Sequence, residues 1–421
     1  MKNKRLRGGV QNVCLILLTL SALFLLARLP MLREIRLPGQ VPALFSPEAS
    51  PGGQEEEVLP AAMFPSMNLM VTGDSQYGRY GRLCVSADDT SLQQITPQFG
   101  EALGSASTAE RVSDDVFRRA LEGPGLYLEL TAGQLPLEAA AAWLGERAVG
   151  FDQLLRAMAL TIGEADAAQL FLLDGQGDIF CYDTALPASA VRTLCESFSP
   201  NGGYFSYETA SEGVAPYTVL TAEALAPPDL LAELPAGYSV YNLLTALGLN
   251  AHTLSRYTES GGAEVVEESS RTLRITPDGG VTLISRGGSA LYRASGRGLR
   301  ETLAAAWRLA ADLTKGTGAS PLYLQAVEAA EGGYILRFRY QAEGIPIFFS
   351  DEEDALTVSY QNGGVASFAY RCRSYGAAEE EPAALLPASM AQAIAAERPG
   401  SGLSVGYEDD GTGRLSAQWL R

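Results

Sequence analysis

The sequence predicts an α+β protein, with a single N-terminal transmembrane helix followed by two or three units, each an antiparallel sheet with a helix on one face. Three observations support this fold class. An apolar run occupies residues 13–27, directly after a short basic segment. Alternating segments joined by turn-forming residues recur along the rest of the chain, which is typical of antiparallel strands. Segments with helical spacing lie between them, most clearly over residues 298–314.

The N-terminal segment predicts where the protein resides. The uncharged run over residues 8–27 is close to the roughly 20 residues that a helix needs to cross a bilayer. Basic residues at positions 2–7 keep that end cytoplasmic. A cleaved signal peptide would end in small residues, whereas residues 28–33 are bulky and basic, so an uncleaved anchor is favoured. We therefore expect a single-pass cell-membrane protein with a cytoplasmic N-terminus and extracytoplasmic C-terminal domains.

Charge separates this anchor from the rest of the chain. Residues 37–421 hold 24 of the 31 basic and 48 of the 49 acidic side chains, which gives them a net charge of −24. Such a surface repels phosphate backbones and anionic lipid, so nucleic acid is excluded as a partner. A soluble domain beside a membrane, or a domain with a basic partner, fits this charge.

The cysteines and the histidine provide no recognisable site. Cys14 lies near the start of the apolar run, which favours a membrane-buried thiol over a lipoprotein cysteine. The four exported cysteines lack metal-ligand spacing and can form two disulfides in three connectivities or remain free buried thiols; they are Cys84, Cys181, Cys195 and Cys372. His252 is the single histidine, so His-rich zinc sites are excluded and any His-dependent triad would need this residue. It lies beside no nucleophile motif, which favours a structural or surface role.

One loop has a partial likeness to a calcium site. Asp174 and Asp178 match the opening of a calcium loop, but Ala185 stands at the twelfth position, where a bidentate Glu is needed. A hairpin turn is therefore the favoured interpretation. The sequence as a whole predicts a protein that is not an enzyme, with no catalytic, cofactor-binding or metal-binding residues.

Five segments are predicted along the chain: a cytoplasmic stub with the anchor (1–36), a flexible linker (37–73), and units at 74–214, 215–296 and 297–421. The linker combines Pro, Gly and three consecutive Glu residues without sustained periodicity. In the first unit, residues 113–121 predict a helix with Ser113 as N-cap. A strand over 125–131, an Ala-rich helix over 136–144 and a hairpin of strands 168–173 and 178–182 follow.

The two later units have similar patterning. The middle unit is predicted to begin with a strand at 216–220 and a helix after Pro227 and Pro228. A second helix at 241–249 and a polar turn at 257–262 follow. The unit ends in a meander of strands at 265–266, 272–276 and 281–285. In the last unit the helix over 298–314 is predicted to end with Gly316 as C-cap. Strands are predicted at 321–327, 334–340, 344–349, 356–360, 365–370, 403–407 and 414–420, with a helix over 385–396.

Several of these segments resemble a known family. Residues 248–262 followed by 271–279 resemble the middle domain of the YycH/YycI regulatory proteins of Gram-positive bacteria. Residues 334–349 and 415–419 look like the last domain of that family. Residues 127–130 and 134–137 look like the first domain of its YycH branch. In this family the anchored ectodomain associates with the sensor histidine kinase of the essential cell-wall two-component system and tunes its activity.

The resemblance therefore implies a regulatory role. The expected partners are a sensor histidine kinase, a related anchored regulator, and the membrane through the N-terminal helix. Two alternatives remain open: a ligand-binding or inhibitor module similar to PepSY-type exported domains, and a cell-wall hydrolase that uses paired carboxylates. The aromatic stripe at 334–340 is predicted to be core rather than a peptide-binding face, and an exposed edge at 344–349 is considered as a site for a partner strand.

Overall fold

Two large β-sheets form the framework of the chain in a computed structural model. The structure describes residues 59–73, 78–131, 133–146, 154–163, 166–209, 214–249, 254–268, 270–286, 291–296, 298–397 and 403–420. All of them belong to one compact unit, Glu56–Arg421. The predicted anchor and His252 lie outside the described residues. Among the helices that the structure describes, none is both long enough and apolar enough to cross a membrane.

The first sheet contains eight antiparallel strands: β1 (Met67–Thr72), β2 (Tyr80–Val85), β3 (Glu110–Val112), β4 (Gly125–Leu130), β5 (Leu135–Pro136), β6 (Leu154–Ile162), β7 (Ala167–Asp174) and β8 (Ile179–Pro187). Their spatial order is β2-β1-β4-β6-β7-β8-β3, and β5 pairs with β6. The predicted hairpin is confirmed as β7 and β8. At its turn, one carboxylate oxygen of Asp174 accepts hydrogen bonds from the backbone N–H groups of Gln176 and Asp178, both at 2.8 Å.

Four helices accompany this sheet: α1 (Thr90–Gly104), α2 (Asp114–Glu122), α3 (Leu137–Trp143) and α4 (Ala188–Glu196). The predicted helix at 113–121 is confirmed as α2, with Ser113 at the N-cap, although its side chain makes no capping hydrogen bond. The Ala-rich helix is confirmed as α3. Helices α1 and α4 pack on β7 and β8, and α4 also contacts β4 and β6.

The predicted flexible linker over 37–73 is wrong for its described part. Residues Ala61–Met63 form a 3-10 helix, and Met63 and Phe64 are fully buried. Strand β1 then lies inside the sheet, between β2 and β4. The prolines of this stretch favoured a linker prediction, but its described part is a core segment that lies between two neighbouring strands.

The strand predicted at 125–131 is confirmed as β4, and it is buried on both faces. The second face is covered by a small two-stranded sheet of β9 (Gly203–Phe205) and β10 (Val219–Thr221). Tyr127 of β4 packs edge-on against Phe205, with ring centroids 5.1 Å apart. The backbone N–H of Val219 donates to the Glu129 carboxylate at 3.2 Å. Of the strand predicted at 216–220, only residues 219 and 220 belong to an observed strand, β10.

The second sheet contains eleven strands: β12 (Ser255–Thr258), β13 (Glu264–Glu268), β14 (Arg271–Ile275), β15 (Gly280–Ser285), β16 (Leu322–Ala330), β17 (Gly333–Ala342), β18 (Ile345–Phe349), β19 (Leu356–Gln361), β20 (Gly364–Arg371), β22 (Ser404–Asp409) and β24 (Ala417–Leu420). Their order is β12-β13-β14-β15-β20-β19-β17-β18-β22-β24, with β16 beside β17. A three-stranded sheet combines β11 (Leu230–Glu233) with β21 (Ser374–Ala377) and β23 (Arg414–Leu415).

Three helices belong to this part of the chain: α5 (Val240–Ala246), α6 (Leu299–Thr317) and α7 (Ala388–Ala396). Helix α6 is the predicted long helix, but its C-cap is Gly318, with φ +75°, and not Gly316. Gly316 lies inside the helix, and a Cβ at this position would come within 2.5 Å of the Cβ of Ala246. The glycine therefore permits close packing of α5 on α6 rather than ending the helix.

One prediction for the middle region is wrong, and a second is confirmed with a shifted start. The segment after Pro228 forms strand β11 instead of a helix, because only six residues separate Pro228 from Pro235, too few for a stable helix. The predicted polar turn at 257–262 begins later, since Tyr257 belongs to β12. The second sheet also continues across the predicted unit boundary at residue 296, because β15 pairs with β20. The α+β class with antiparallel sheets is confirmed.

Contact between the two sheets depends on a close backbone approach. Gly344, in the turn between β17 and β18, lies against Cys84 of β2, and a Cβ on Gly344 would come within 1.9 Å of the Cys84 carbonyl oxygen. Gly344 has φ +82°, a conformation that other residues rarely adopt. The two sheets are thus joined at a point that only glycine fits.

Candidate interaction surface

Those residues singled out in the sequence that the structure describes do not come together in a site. His252 lies outside the described residues. Cys84, Cys181, Cys195 and Cys372 are free thiols in the structure. Burial raises the pKa of both Cys84 and Cys195 to about 12 and that of Cys181 to about 11, while the pKa of Cys372 is also raised by burial. A raised pKa keeps these thiols protonated at neutral pH, which makes them poor nucleophiles.

The aromatic stripe of β17 is part of the core. Leu336, Phe338 and Tyr340 are fully buried, as predicted, while Tyr334 is half-buried. The hypothesis that residues 344–349 form an exposed edge for a partner strand is wrong. Strand β18 already pairs with β17 on one side and, in parallel, with β22 on the other. This strand has no open edge for a partner.

Buried carboxylates in the described residues serve the fold. Glu129 on β4 is 5% exposed, and Arg156 donates to one of its oxygens at 3.1 Å. Asn68 and the Val219 backbone donate to the other oxygen at 3.1 and 3.2 Å. The amide oxygen of Asn68 in turn accepts from the backbone N–H of Cys84, which has φ +55°. The network therefore holds β1, β2, β4, β6 and β10 together.

A second buried carboxylate, Asp409, lies at the end of β22. Tyr375 donates its hydroxyl proton to one Asp409 oxygen at 2.8 Å, and the Gly411 backbone donates to the other at 3.0 Å. Burial, with the neighbouring Asp409 charge, raises the pKa of Tyr375 far above its ordinary value. In the described ranges, no group of three or more His, Cys, Asp and Glu side chains is placed to hold a metal ion.

A cleft opens beside the end of the β1–β2 pair. It has a volume of about 490 Å³, and its lining includes Tyr80, Arg192, Cys195 and Phe198. The Tyr80 and Phe198 rings lie 5.1 Å apart, centroid to centroid, and form an apolar wall. The exposed Arg192 is the cationic group among the described lining residues. Glu196 also lines the cleft, so its described charged groups are one cation and one anion, and the apolar wall suits the apolar part of a small molecule.

The other candidate surface is the outer face of α7. Leu386, Met390 and Ile394 are spaced four residues apart and are 50%, 54% and 47% exposed. Met390 and Ile394 lie above one another on α7, because side chains four apart share one face of a helix, and Leu386 lies two residues before the first helical residue. We refer to these three exposed apolar side chains as the ridge. Ser389 and Ala393, both exposed, form a row of small side chains beside it. We call these five residues the α7 face; none of this pattern was recognised in the sequence.

The opposite side of α7 fixes the helix to the body of the protein. Ala388, Ala391 and Ala395 are buried against Leu220 and Leu403. The indole N–H of Trp419 on β24 donates to the carbonyl of Leu386 at 2.9 Å, which holds the start of the ridge. The ridge is therefore exposed although the helix itself is firmly packed. Its three large side chains leave apolar area on the order of a few hundred Å², the size of patches that are often functional.

This arrangement of two large, mainly antiparallel sheets and two small sheets, with seven α-helices among the described residues, defines a known α+β fold. It is the fold of YycH: the crystal structure of YycH from Bacillus subtilis matches with a TM-score of 0.55, over 86% of this chain and 94% of that chain, at 11% sequence identity. No family model matches the sequence, and no curated protein matches it. The comparison thus shows a YycH-like fold.

Proposed function

We propose that this chain is a membrane-anchored extracytoplasmic regulator that binds a sensor histidine kinase and modulates two-component signalling in cell-wall homeostasis. The observation that carries the proposal is the YycH-like fold, which extends over 86% of the chain. The sequence resemblance to the YycH branch supports the same role and adds a related anchored regulator as a second partner.

The N-terminal sequence supports a membrane location for this activity. The basic residues before the apolar run predict a cytoplasmic N-terminus, so that everything after the run is extracytoplasmic. A single-pass anchor would confine the protein to the membrane that contains the kinase and raise their effective concentration. We therefore propose a location in the cell membrane, and the sequence resemblance to the YycH/YycI proteins adds a Gram-positive host to the proposal.

The proposed action is binding without chemistry. A bound protein shifts a kinase between its states only if it binds one state more tightly than the other, so association alone is insufficient. The described carboxylates that are most buried, Glu129 and Asp409, are engaged by protein donors. This favours regulation over the hydrolase alternative.

A second candidate function is supported by the cleft. Its apolar wall and Arg192 suit a small amphipathic ligand, as expected of a ligand-binding or inhibitor module similar to PepSY domains. Replacing Phe198 with Ala tests this function. If the protein is a ligand-binding module, the Phe198→Ala variant should lose its activity in the host. If the protein is a regulator of the proposed kind, the variant should be about as active as the wild type.

In-membrane crosslinking tests the leading proposal. The full-length protein would be crosslinked in its native host and its partners identified by mass spectrometry, with an anchor-deleted form as the control. The proposal predicts recovery of a sensor histidine kinase by the full-length protein and its loss without the anchor. Recovery of glycan fragments or a wall enzyme, with no kinase, would contradict it.

A further inference from the structure

The geometry of the α7 face points to a specific occupant, and we infer that it docks an amphipathic helix of a partner protein, one with an apolar stripe and basic residues at one end. This inference deepens the proposed function, on which it rests, by naming the surface through which the regulator engages its partner. The argument uses the shape of the face, its charge and the way α7 is attached.

Shape favours a helix as the occupant. Leu386, Met390 and Ile394 form a ridge, and the row of Ser389 and Ala393 beside it forms a shallow groove. Helices pack by inserting the ridge of residues four apart on one helix into the matching groove of the other. The helical part of the ridge, from Met390 to Ile394, spans four residues, or about 6 Å at 1.5 Å per residue, and Leu386 extends it beyond the helix start. A partner helix of two to three turns would cover it.

Charge favours a basic partner. Glu397 lies three residues after Ile394, so the two are neighbours on the helix surface. The helix C-terminus adds partial negative charge there, and the last described turn contains no basic residue. Beyond the other end of the ridge, Glu379 and Glu381 are exposed. Arg398, the next residue in the sequence, lies outside the described residues.

A second copy of this chain is the less suitable occupant. Residues 37–421 carry a net charge of −24, and like charge on that scale opposes self-association. The same charge opposes docking on an anionic lipid surface. A partner segment with Lys or Arg next to its apolar stripe would instead be attracted to the acidic ends of the face.

The attachment of α7 gives such docking a route into the protein. Gln392, on the buried side of the helix and 1% exposed, donates a hydrogen bond of 3.0 Å to the Ser206 carbonyl. Ser206 directly follows β9, which covers the first sheet. The helix that carries the α7 face is therefore hydrogen-bonded directly to the segment that covers the first sheet.

The test places a photo-crosslinking amino acid at Met390 of the full-length protein in its native host. The matched control places it at Ile284 on β15, an apolar side chain that is 56% exposed and lies in another part of the structure. We expect a protein adduct from position 390 and at least tenfold less from position 284. The adduct should map to a partner segment with helical apolar spacing and adjacent Lys or Arg.

Charge is tested separately by Glu397→Lys in the same crosslinking protein. We expect this change to reduce the adduct at least tenfold without lowering the thermal unfolding midpoint, because Glu397 is exposed and a cation at a helix C-terminus is favourable. An adduct with a second copy or with lipid, equal adducts at positions 390 and 284, or an adduct unaffected by Glu397→Lys would each overturn the inference.

The outcome is separable from that of the proposed function. If wild-type protein recovers a sensor kinase but position 390 gives no adduct, the regulator proposal stands and the docking inference fails. If position 390 crosslinks a basic amphipathic helix of a protein that is not a kinase or its regulator, the docking inference stands and the proposed function fails.

Discussion

Gln392 and Ser206 are 186 residues apart in sequence, yet the amide nitrogen of Gln392 donates to the Ser206 carbonyl at a distance of 3.0 Å in the buried interior. The bond attaches α7, which carries the exposed ridge, to the short segment that covers the first sheet. Ser206 also accepts from the backbone and hydroxyl of Thr209. Its carbonyl is thus a point where late and early parts of the chain meet.

The first prediction concerns this bond. Gln392→Leu removes the donor but leaves Thr209 bonded to the Ser206 carbonyl, so we expect a loss of only about 1 kcal/mol in the free energy of unfolding. The control is Gln418→Leu on β24, where the exposed amide donates to Glu408 and its removal should have little effect. Urea denaturation of both variants measures the difference. Equal stability of the two would show that the bond contributes nothing.

The elements with strong local patterns were predictable from the sequence. The β7–β8 hairpin, the meander of β13 to β15 and helix α6 each combine clear periodicity with turn residues. Helix α1 was missed, although Asp89 caps it and Leu92, Ile95, Phe99 and Ala102 recur at helical spacing. Pro97 lies within this helix and interrupts the sequence pattern, since proline usually ends a helix interior.

What the sequence could not provide is the contact between distant segments. The burial of both β4 faces depends on β9 and β10, which lie more than 70 residues later. The α7 face was missed because a short Ala-rich helix has little contrast between its sides. Only the packing of Ala388, Ala391 and Ala395 shows which side is buried. The hypothesis of an open edge at β18 was wrong for the same reason, because its partner strand β22 follows more than 50 residues later.

The second prediction tests the contact between the two sheets. Gly344→Ala places a Cβ within 1.9 Å of the Cys84 carbonyl, and Gly363→Ala is the matched control. Both glycines lie in β-turns with φ near +82° and +81°, but the Gly363 position is open. Each change should cost about 1–2 kcal/mol from the backbone conformation. Steric overlap should add roughly 1–3 kcal/mol for Gly344 alone. Equal denaturation midpoints would contradict the close approach.

The third prediction concerns the Glu129 network. Glu129→Leu leaves Arg156, Asn68 and the Val219 N–H without their shared acceptor in the described structure. Breaking a buried ion pair costs about 3–5 kcal/mol, and we expect the lower value because the Arg156 side chain is 26% exposed. The double variant Glu129→Leu with Arg156→Met should recover part of the loss by removing the unpaired charge. No recovery in urea denaturation would indicate that the charge pair is not the main contribution.

The fourth prediction concerns acid stability at the three-stranded sheet. Hydrogen bonds from Arg414 hold the pKa of Asp229 and Glu380 below their ordinary values. A carboxylate with a lowered folded-state pKa stabilises the protein above its ordinary pKa, and this contribution is lost as the pH falls through the folded value. Wild type should therefore exceed Arg414→Gln in melting temperature at pH 7.

Acidification should narrow this difference, mostly below about pH 4, near the ordinary carboxylate pKa. In a background of Asp229→Asn with Glu380→Gln, the Arg414 change should have an effect that does not vary with pH. A difference between wild type and Arg414→Gln that stays constant from pH 7 to pH 3 would contradict the assignment of these ion pairs.

The central claim is that the protein changes the activity of a sensor kinase, and its most direct test is the phosphorylated fraction of the cognate response regulator in living cells. Cells lacking the gene would be compared with cells complemented by the full-length chain or by an anchor-deleted chain. We predict that deletion changes the phosphorylated fraction and that only the full-length chain restores it. An unchanged phosphorylated fraction in the deletion strain would contradict the regulatory account.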